Sequence, residues 1–394
     1  MKAPETAFAR TRRPRAERQP PRRPAIAYIV GARPNFVKTA PVVEAMRRRV
    51  PNGRHLVVHT GQHYDREMSE VFFDELGLAE PSHLLGVGSG SHGEQTARAL
   101  ERVESVLVEE RPDLVVVPGD VNSTLAAALA AVKLGIPVAH LEAGLRSFDW
   151  SMPEEINRML VDRISTWCFT HSPEARDNLR NEGVAEDRIY PVGNTMIDTL
   201  VRMEPRVHRS DALARLGLEA GRYLLVTLHR PALVDGPVFD DVLDALQALA
   251  ARIPVVYPLH PRARERALAA VEGASGLHLV DPVGYVDFLA LERSARAVIT
   301  DSGGVQEETT YLRVPCFTLR DSTERPVTIA KGTNRLLGLN PEALLEIPDR
   351  AAHTPLPLEP PAGWDGRAGE RAADVLSAAL APALVDSETR AARG

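Results

Sequence analysis

Cysteine is nearly absent from this chain, which has 2 cysteines, Cys168 and Cys316, in 394 residues. Both lie in apolar runs that are typical of strands, so we predict buried structural thiols rather than catalytic ones. They provide neither a disulfide framework nor the ligand spacing of a zinc site. This composition fits a reducing compartment, and we expect a cytoplasmic protein.

Long apolar runs are missing as well. No stretch reaches the about 20 apolar residues of a membrane span, and the N-terminus lacks the apolar stretch of about 7–15 residues of a secretory signal. Residues 1–24 are instead rich in Arg and Pro, and we predict a disordered tail. The formal net charge of −6 gives no reason to expect nucleic-acid binding, although a local basic pocket could hold an anion.

Short apolar runs alternate with helical patterns through most of the remaining chain, beginning at Ala25–Val30. Strands that alternate with helices predict βαβ units and a parallel sheet. The alternation weakens near residues 200–220 and restarts at Tyr223–Leu228, with Cys316–Leu319 expected to be the last strand. The sequence therefore predicts two α/β units in succession.

A chain of 394 residues also exceeds one typical domain of about 100–200 residues. We predict two Rossmann-like domains, each a doubly wound parallel sheet, over residues 25–200 and 201–365. Residues 366–394 are expected to contain a final helix that packs back on the first domain, followed by a tail.

The loop after the first predicted strand reads Gly31-Ala32-Arg33-Pro34-Asn35-Phe36-Val37-Lys38 and opens a helix. Exposed N–H groups at a helix start favour an anion, and Arg33 and Lys38 add positive charge. The loop lacks both the Gly-Lys-Ser/Thr ending of a Walker A motif and the Gly-rich dinucleotide fingerprint. The alternative is a tight turn with a solvated arginine.

Acidic side chains follow three strands or helix starts in the first half. Asp120 follows a buried strand and could be a base or a helix cap. Glu142 stands at a strand end, where solvation alone explains it poorly. Glu154 and Glu155 lie in a first helical turn, a position that the helix dipole favours for acids. Carboxyls gathered at one sheet edge suit proton-transfer chemistry.

Polar loops follow the strands of the second half too. His229 comes directly after a strand, and its ring could steady a departing phosphate. The segment Thr300–Glu308 leads from a strand through Ser302, Gly303 and Gly304 into a helix whose exposed N–H groups suit a diphosphate. A glutamate farther into that helix could accept the two hydroxyls of a ribose.

Nine long motifs, in this order, resemble those of the non-hydrolysing UDP-N-acetylglucosamine 2-epimerases. The resemblance runs from about residue 25 to about residue 338. The motifs are GARPNFVKTAP, TGQHYD, PGDVNST, HLEAGLRS, MPEEINR, VGNTMID, TLHRP, TDSGGVQEE and DSTERP.

This resemblance implies a GT-B-like fold, in which two Rossmann-like domains face a central cleft. It implies interconversion of UDP-GlcNAc and UDP-ManNAc by elimination of UDP to a 2-acetamidoglucal and re-addition. It implies no cofactor and no metal, and it suggests a homodimer. The implied catalytic residues are Asp120, Glu142, Glu154 and His229, and the implied substrate contacts are Arg33, Lys38, Gln62, Arg146, Ser302, Gly303, Gly304, Glu308 and Arg325.

Two departures from the family pattern leave alternatives open. His229-Arg230 is followed by Pro231, Ala232 and Leu233 where many relatives carry polar residues, and the segment between Arg146 and Pro153 is short. These changes allow a hydrolysing enzyme or one for a modified sugar such as a diacetamido derivative. A glycosyltransferase of the same architecture and a silent nucleotide-sugar binding protein are further alternatives, because fold does not fix function.

Overall fold

The computed structural model describes residues 23–61, 75–78, 80–270 and 276–391, without the side chains of Arg33 and of residues 381–391. The predicted N-terminal tail lies outside these ranges apart from residues 23 and 24, and so does most of residues 65–76, whose spacing predicts a further helix. Among the described helices, none is long and apolar enough to cross a membrane.

The first half forms a parallel sheet of 7 strands in the order β3-β2-β1-β4-β5-β6-β7. Its strands are β1 (Ala25–Val30), β2 (Arg54–His59), β3 (His83–Leu84), β4 (Leu114–Pro118), β5 (Val138–Leu141), β6 (Trp167–Thr170) and β7 (Ile189–Pro191). The order reverses between β1 and β4, the switch point at which doubly wound sheets bind ligands. Alternate residues of β1 enter separate apolar clusters on the two faces, so both faces are covered.

The second half forms a parallel sheet of 6 strands in the order β10-β9-β8-β11-β12-β13. Its strands are β8 (Leu224–Thr227), β9 (Val255–Pro258), β10 (Leu277–Val280), β11 (Ala297–Thr300), β12 (Cys316–Thr318) and β13 (Asn334–Leu336). The prediction that Cys316–Leu319 is the last strand is therefore wrong. The edge strand β13 has only 3 residues, of which just Asn334 is buried, so it lacks the apolar run that marks the inner strands.

The helices lie between the strands. They are α1 (Arg33–Arg49), α2 (His92–Glu110), α3 (Asn122–Lys133), α4 (Pro153–Ile164), α5 (Pro173–Asn181), α6 (Thr195–Val207), α7 (Ala212–Arg215), α8 (Pro231–Val234), α9 (Val238–Ala250), α10 (Pro261–Ala270), α11 (Tyr285–Ser294), α12 (Gly303–Leu312), α13 (Val327–Ala330), α14 (Ile347–His353) and α15 (Ala368–Ala391). Short 3-10 turns cover Glu186–Arg188 and Glu342–Glu346. The two sheets with their helices confirm the predicted α/β class.

Helix α6 joins the two halves. It spans the predicted boundary at residue 200, a stretch in which the sequence showed only weak periodicity, and its buried face includes Leu200 and Met203. These side chains share one apolar cluster with Leu289 of α11 and Leu376 of α15. The final helix α15 also packs along α1 of the first half. The residue bounds of the two domains stay a prediction.

The two cysteines are buried and unpaired. Burial is the main cause that raises the pKa of each thiol to about 12, so neither is a thiolate at neutral pH. The predicted structural role for Cys168 and Cys316 is consistent with this environment.

Candidate active site

Asp120 follows β4 at the switch point of the first sheet. It does not cap α3, whose N-cap is Val121 without a side-chain cap. Its carboxylate accepts a hydrogen bond from Nη2 of Arg158 at 2.6 Å. Burial favours a higher pKa for Asp120, but the charges of Arg158 and Lys38 outweigh it and hold the pKa below its usual value. Asp120 is therefore a carboxylate at neutral pH, the form that a base requires.

Glu142 follows β5 in a left-handed backbone conformation with φ of 66°. Such a conformation is uncommon outside glycine and marks functional sites. Its carboxylate forms a buried ion pair with Lys38 of α1 and lies 3.4 Å from Nη2 of Arg325 in the second half. The residue thus joins a cation from each half of the molecule.

Glu154 and Glu155, adjacent in the first turn of α4, have different environments. Glu154 is half-buried, and its side chain has no hydrogen-bond or ion-pair partner among the described residues. Glu155 is 1% exposed, and its carboxylate accepts bonds from the backbone N–H groups of Ser147 and Phe148. Glu155, which was not among the residues implied as catalytic, is therefore the one of the two that is hydrogen-bonded to its surroundings.

His229 follows β8 and is 36% exposed on its side chain. Its Nδ1 lies 3.0 Å from Asp301, which is fully buried at the end of β11 and also accepts the backbone N–H groups of His229 and Arg230. Nδ1 thus faces a buried carboxylate, and Nε2 is the ring nitrogen turned away from it. Asp301 therefore orients the ring.

The N-terminus of α12 lies beside these residues. No side chain of the described residues caps it, and its first turn contains no acid. A Cβ placed on Gly303 would overlap Nη1 of Arg325, and one on Gly304 would come within 2.9 Å of Cε of Met196. Glycine therefore keeps this helix start open next to a guanidinium, an arrangement that favours an anion.

Arg325 of the second half lies within ion-pair distance of three acids, which are Glu142, Glu307 and Glu324. It is 4% exposed, pairs with Glu324, and places Nε 3.0 Å from Glu307. Burial opposes the charge of Glu307, but Arg325 and His171 lower the pKa of that carboxyl to about 2. Ion pairs of this kind are costly to bury unless each member is satisfied, so they indicate a built site rather than added stability.

Glu308 differs from Glu307 because the pKa of its carboxyl is raised rather than lowered. Burial raises the pKa of its carboxyl to about 8, although the Tyr285 hydroxyl donates a 2.7 Å hydrogen bond to it and so partly opposes that rise. Glu292 of α11 is also fully buried, and burial followed by repulsion from Glu308 raises the pKa of its carboxyl. Glu308 is thus largely protonated at neutral pH and can offer both a donor and an acceptor to a diol.

The first loop is less open than its sequence suggests. The N–H groups of Gly31 and Ala32 both bond to Oδ1 of Asn35, at 3.0 Å and 2.9 Å. They are therefore already satisfied by the protein. Lys38 is engaged by Glu142. The side chain of Arg33 and the whole of Gln62 lie outside the described residues.

Arg146 is 2% exposed and is held by protein groups. It lies 2.8 Å from Asp162, and it donates to both carboxylate oxygens of Glu182 and to the carbonyl of Leu145. Asp162 also accepts from His140 at 2.7 Å. This environment favours a supporting role for Arg146 over direct contact with substrate.

Three residues at the centre could act as metal ligands. One ligand atom each from Glu142, His171 and Glu307 lies within 4.8 Å of the others. However, Lys38 and Arg325 already neutralise the two carboxylates. The donor set therefore fits an ion-pair network better than a cation site.

Several residues of this network were not singled out from the sequence. Arg158 lies inside the motif MPEEINR and Glu324 inside DSTERP, so the motifs contained them without revealing their roles. Glu324 accepts a hydrogen bond of 2.8 Å from Nη2 of Arg320. The charges of the arginines around it outweigh the effect of its burial and lower the pKa of its carboxyl. Asp301 lies inside TDSGGVQEE in the same way, whereas His171 lies outside all nine motifs.

Known proteins share this architecture. A family model described as UDP-N-acetylglucosamine 2-epimerase matches residues 45–377. A UDP-N-acetylglucosamine 2-epimerase homolog of Methanococcus maripaludis is 44% identical, over 82% of this chain and 90% of its own. The UDP-2,3-diacetamido-2,3-dideoxy-D-glucuronate 2-epimerase of Pseudomonas aeruginosa is 42% identical, over 82% and 90%.

A solved structure supports the same assignment. The crystal structure of the UDP-GlcNAc 2-epimerase of Methanocaldococcus jannaschii, in complex with UDP-GlcNAc and UDP, superposes with a TM-score of 0.84 at 40% identity. The match covers 90% of this chain and 99% of that one. This match and the two parallel-sheet domains of the present chain confirm the predicted GT-B-like fold, and the chain belongs to the UDP-N-acetylglucosamine 2-epimerase family.

Proposed function

We propose that this protein is an isomerase that interconverts UDP-GlcNAc and UDP-ManNAc. The observation that carries the proposal is the network joining the two sheet edges. Glu142 of the first half pairs with Arg325 beside the open start of α12 in the second, and the charges of Lys38 and Arg325 also act on Asp120. Proton-transfer groups and a diphosphate site therefore meet across one cleft.

In this reaction a base removes the C2 proton while the C1–O bond to UDP breaks, which gives 2-acetamidoglucal. Return of a proton to the other face of C2 and re-addition of UDP at C1 give the epimer. We assign the proton transfers to Asp120, Glu142 and Glu154. His229, fixed by Asp301, steadies the charge that grows on the departing phosphate.

We assign UDP binding to the second half. The start of α12, with Ser302, Gly303 and Gly304, would hold the diphosphate together with Arg325, and Glu308 would accept the ribose hydroxyls. Arg33, Lys38 and Gln62 would complete the site from the first half, with Arg146 supporting it from behind. The route uses no cofactor and no metal.

The test follows hydrogen and products together. The protein is incubated with UDP-GlcNAc in D₂O, and deuterium at C2 and UDP-ManNAc are measured. Both should appear. A folded sample that binds UDP and yields neither would contradict the proposal, and free ManNAc with UDP would instead indicate hydrolysis.

A modified sugar is the second candidate. Pro231 and Ala232 are exposed beside His229 in the short helix α8, so this wall of the site is apolar. One relative named above acts on a diacetamido glucuronate derivative. Turnover of such a derivative without turnover of UDP-GlcNAc would favour this candidate.

We also propose a cytoplasmic homodimer. Two unpaired buried thiols fit a reducing compartment. On the outer face of α4, Ile156 is 41% exposed and Leu160 is 48% exposed, one helical turn apart. Such a pair of apolar side chains is suited to a symmetric contact.

A further inference from the structure

Glu155 connects a surface loop to the interior of the first half. Its carboxylate accepts the Ser147 N–H and hydroxyl at 2.9 Å each and the Phe148 N–H at 3.0 Å. These three bonds hold the segment Ser147–Met152, here called the aromatic loop because it carries Phe148 and Trp150. The same carboxylate pairs with Nη1 of Arg158, one turn along α4.

Arg158 carries the connection to Asp120. It is 1% exposed. Its Nη1 pairs with Glu155, and its Nη2 donates a hydrogen bond of 2.6 Å to Asp120. A planar guanidinium fixes the relative orientation of two carboxylates that it bonds through separate nitrogens. The geometry of Asp120 therefore depends on Glu155.

The aromatic loop exposes two large aromatic side chains. Phe148 is 74% exposed and adopts φ of 59°, a left-handed conformation that is uncommon for a bulky residue. Trp150 is 65% exposed. Hydrogen bonds from Ser151 are the main cause that lowers the pKa of Asp149, and Arg320 of the second half lowers it further. Asp149 of the loop therefore lies within electrostatic reach of Arg320 in the second half.

We propose that Glu155 is a positioning residue that acts through Arg158 on Asp120 and couples the aromatic loop to proton transfer at C2. This inference rests on the proposed function. The N–H groups of the loop keep Glu155 in place. Glu155 then holds Arg158, and Arg158 keeps the Asp120 carboxylate aimed at the substrate.

Substitutions of Glu155 and of Arg158 should shift the pH profile of the reaction in opposite directions. The charges that face Asp120 are Arg158, Lys38, Glu324 and Arg325. In Glu155→Gln the Arg158 charge loses its partner and acts more strongly on Asp120, which lowers the pKa of that base. In Arg158→Gln a positive charge is lost, which raises it.

The experiment measures C2 deuterium exchange against pH with UDP-GlcNAc. In Glu155→Gln the acid limb should move to lower pH and kcat should fall about tenfold, with little change in KM. In Arg158→Gln the limb should move to higher pH. Arg158→Lys, the safer variant for folding, should keep the limb near its wild-type pH while kcat falls, since ammonium is not a planar fork.

Phe148→Gly is the matched control. Glycine accepts the positive φ and keeps the N–H bond to Glu155, so the acid limb should stay in place. A limb that stays in place in both Glu155→Gln and Arg158→Gln, or moves the same way in both, would overturn the inference. Absence of exchange by the wild-type enzyme would overturn the proposed function and the inference with it.

Discussion

Ionisation separates the carboxyls of the site at the scale of single residues. Asp120 and Glu307 are held as carboxylates by neighbouring cations, whereas burial keeps Glu308 largely protonated. Groups whose pKa values are pushed apart within one cleft can take different parts in one reaction. We therefore expect substitutions here to separate proton transfer from UDP binding.

Asp120→Asn preserves the shape of the side chain and removes its basicity. We expect kcat for C2 exchange to fall by about 10²–10⁴, because that is what a positioned base contributes. UDP affinity, measured by calorimetry, should change little. Asp177→Asn, on an exposed carboxylate of α5, is the control and should behave as wild type. An equal loss of UDP affinity in Asp120→Asn would contradict the assignment.

Gly303→Ala tests the diphosphate site. The new methyl would overlap Nη1 of Arg325 and stand 2.9 Å from Oε1 of Glu324, so the buried pair must shift. UDP affinity should drop about tenfold or more, since the start of α12 loses its aligned guanidinium. Gly304→Ala meets only the flexible end of Met196 at 2.9 Å and should cost less. The reverse order of the two affinities would refute this account.

At the scale of elements, a side chain of α6 caps the start of the last helix, α15. Asp198 of α6 accepts the N–H groups of Ala368 and Gly369, at 3.0 Å and 2.6 Å, where α15 begins. These are among the first N–H groups of α15, which have no partner within the helix. The contact holds α15 in register on α1.

The same residue predicts a dependence of stability on pH. Burial raises the pKa of Asp198 from 3.8 to about 6, although the two N–H groups and Arg371 oppose that rise. The folded state thus binds the proton more tightly, so this stabilisation is complete below the unfolded pKa and is lost as pH rises through about 6. Wild type should lose unfolding free energy relative to Asp198→Asn between about pH 4 and 7. Urea unfolding at several pH values measures this difference, and a constant difference would contradict it.

At the scale of the whole molecule, ion pairs join the two halves across the cleft. Glu142 meets Arg325 at 3.4 Å, and His171 meets Glu307 at 3.1 Å. The Trp364 indole N–H also donates to the carbonyl of His171 at 3.0 Å, which secures the returning chain on the first half. The residues to which we assign the reaction therefore come together only when both domains are in place.

The proposed dimer gives the prediction at this scale. Ile156→Glu combined with Leu160→Glu should convert a dimer to a monomer in light scattering after gel filtration, because the charges would be buried at the contact. Circular dichroism should show an unchanged fold. Leu268→Glu, at a side chain of α10 that is 47% exposed, is the control on the second half. A wild-type monomer, or a double variant that remains dimeric, would argue against this face.

The sequence alone predicted the two α/β units and nearly all inner strands, because buried parallel strands are short apolar runs that local composition reveals. It missed the edge strands β3 and β13, because β3 has no buried residue and β13 has one, which leaves no such run. Its motifs also contain Asp120, Glu142 and His229, which follow strands, and Arg325, which lies in the segment between β12 and α13.

The pairings of these residues were decided only by the tertiary structure. The sequence left Asp120 as either base or cap, and Arg158, which lies 38 positions away along the chain, settles its environment. Likewise, the N–H groups of Gly31 and Ala32, which the sequence predicted to be open to an anion, donate to the side chain of Asn35. Ionisation and hydrogen bonding depend on neighbours brought together by folding, and no local pattern records those neighbours.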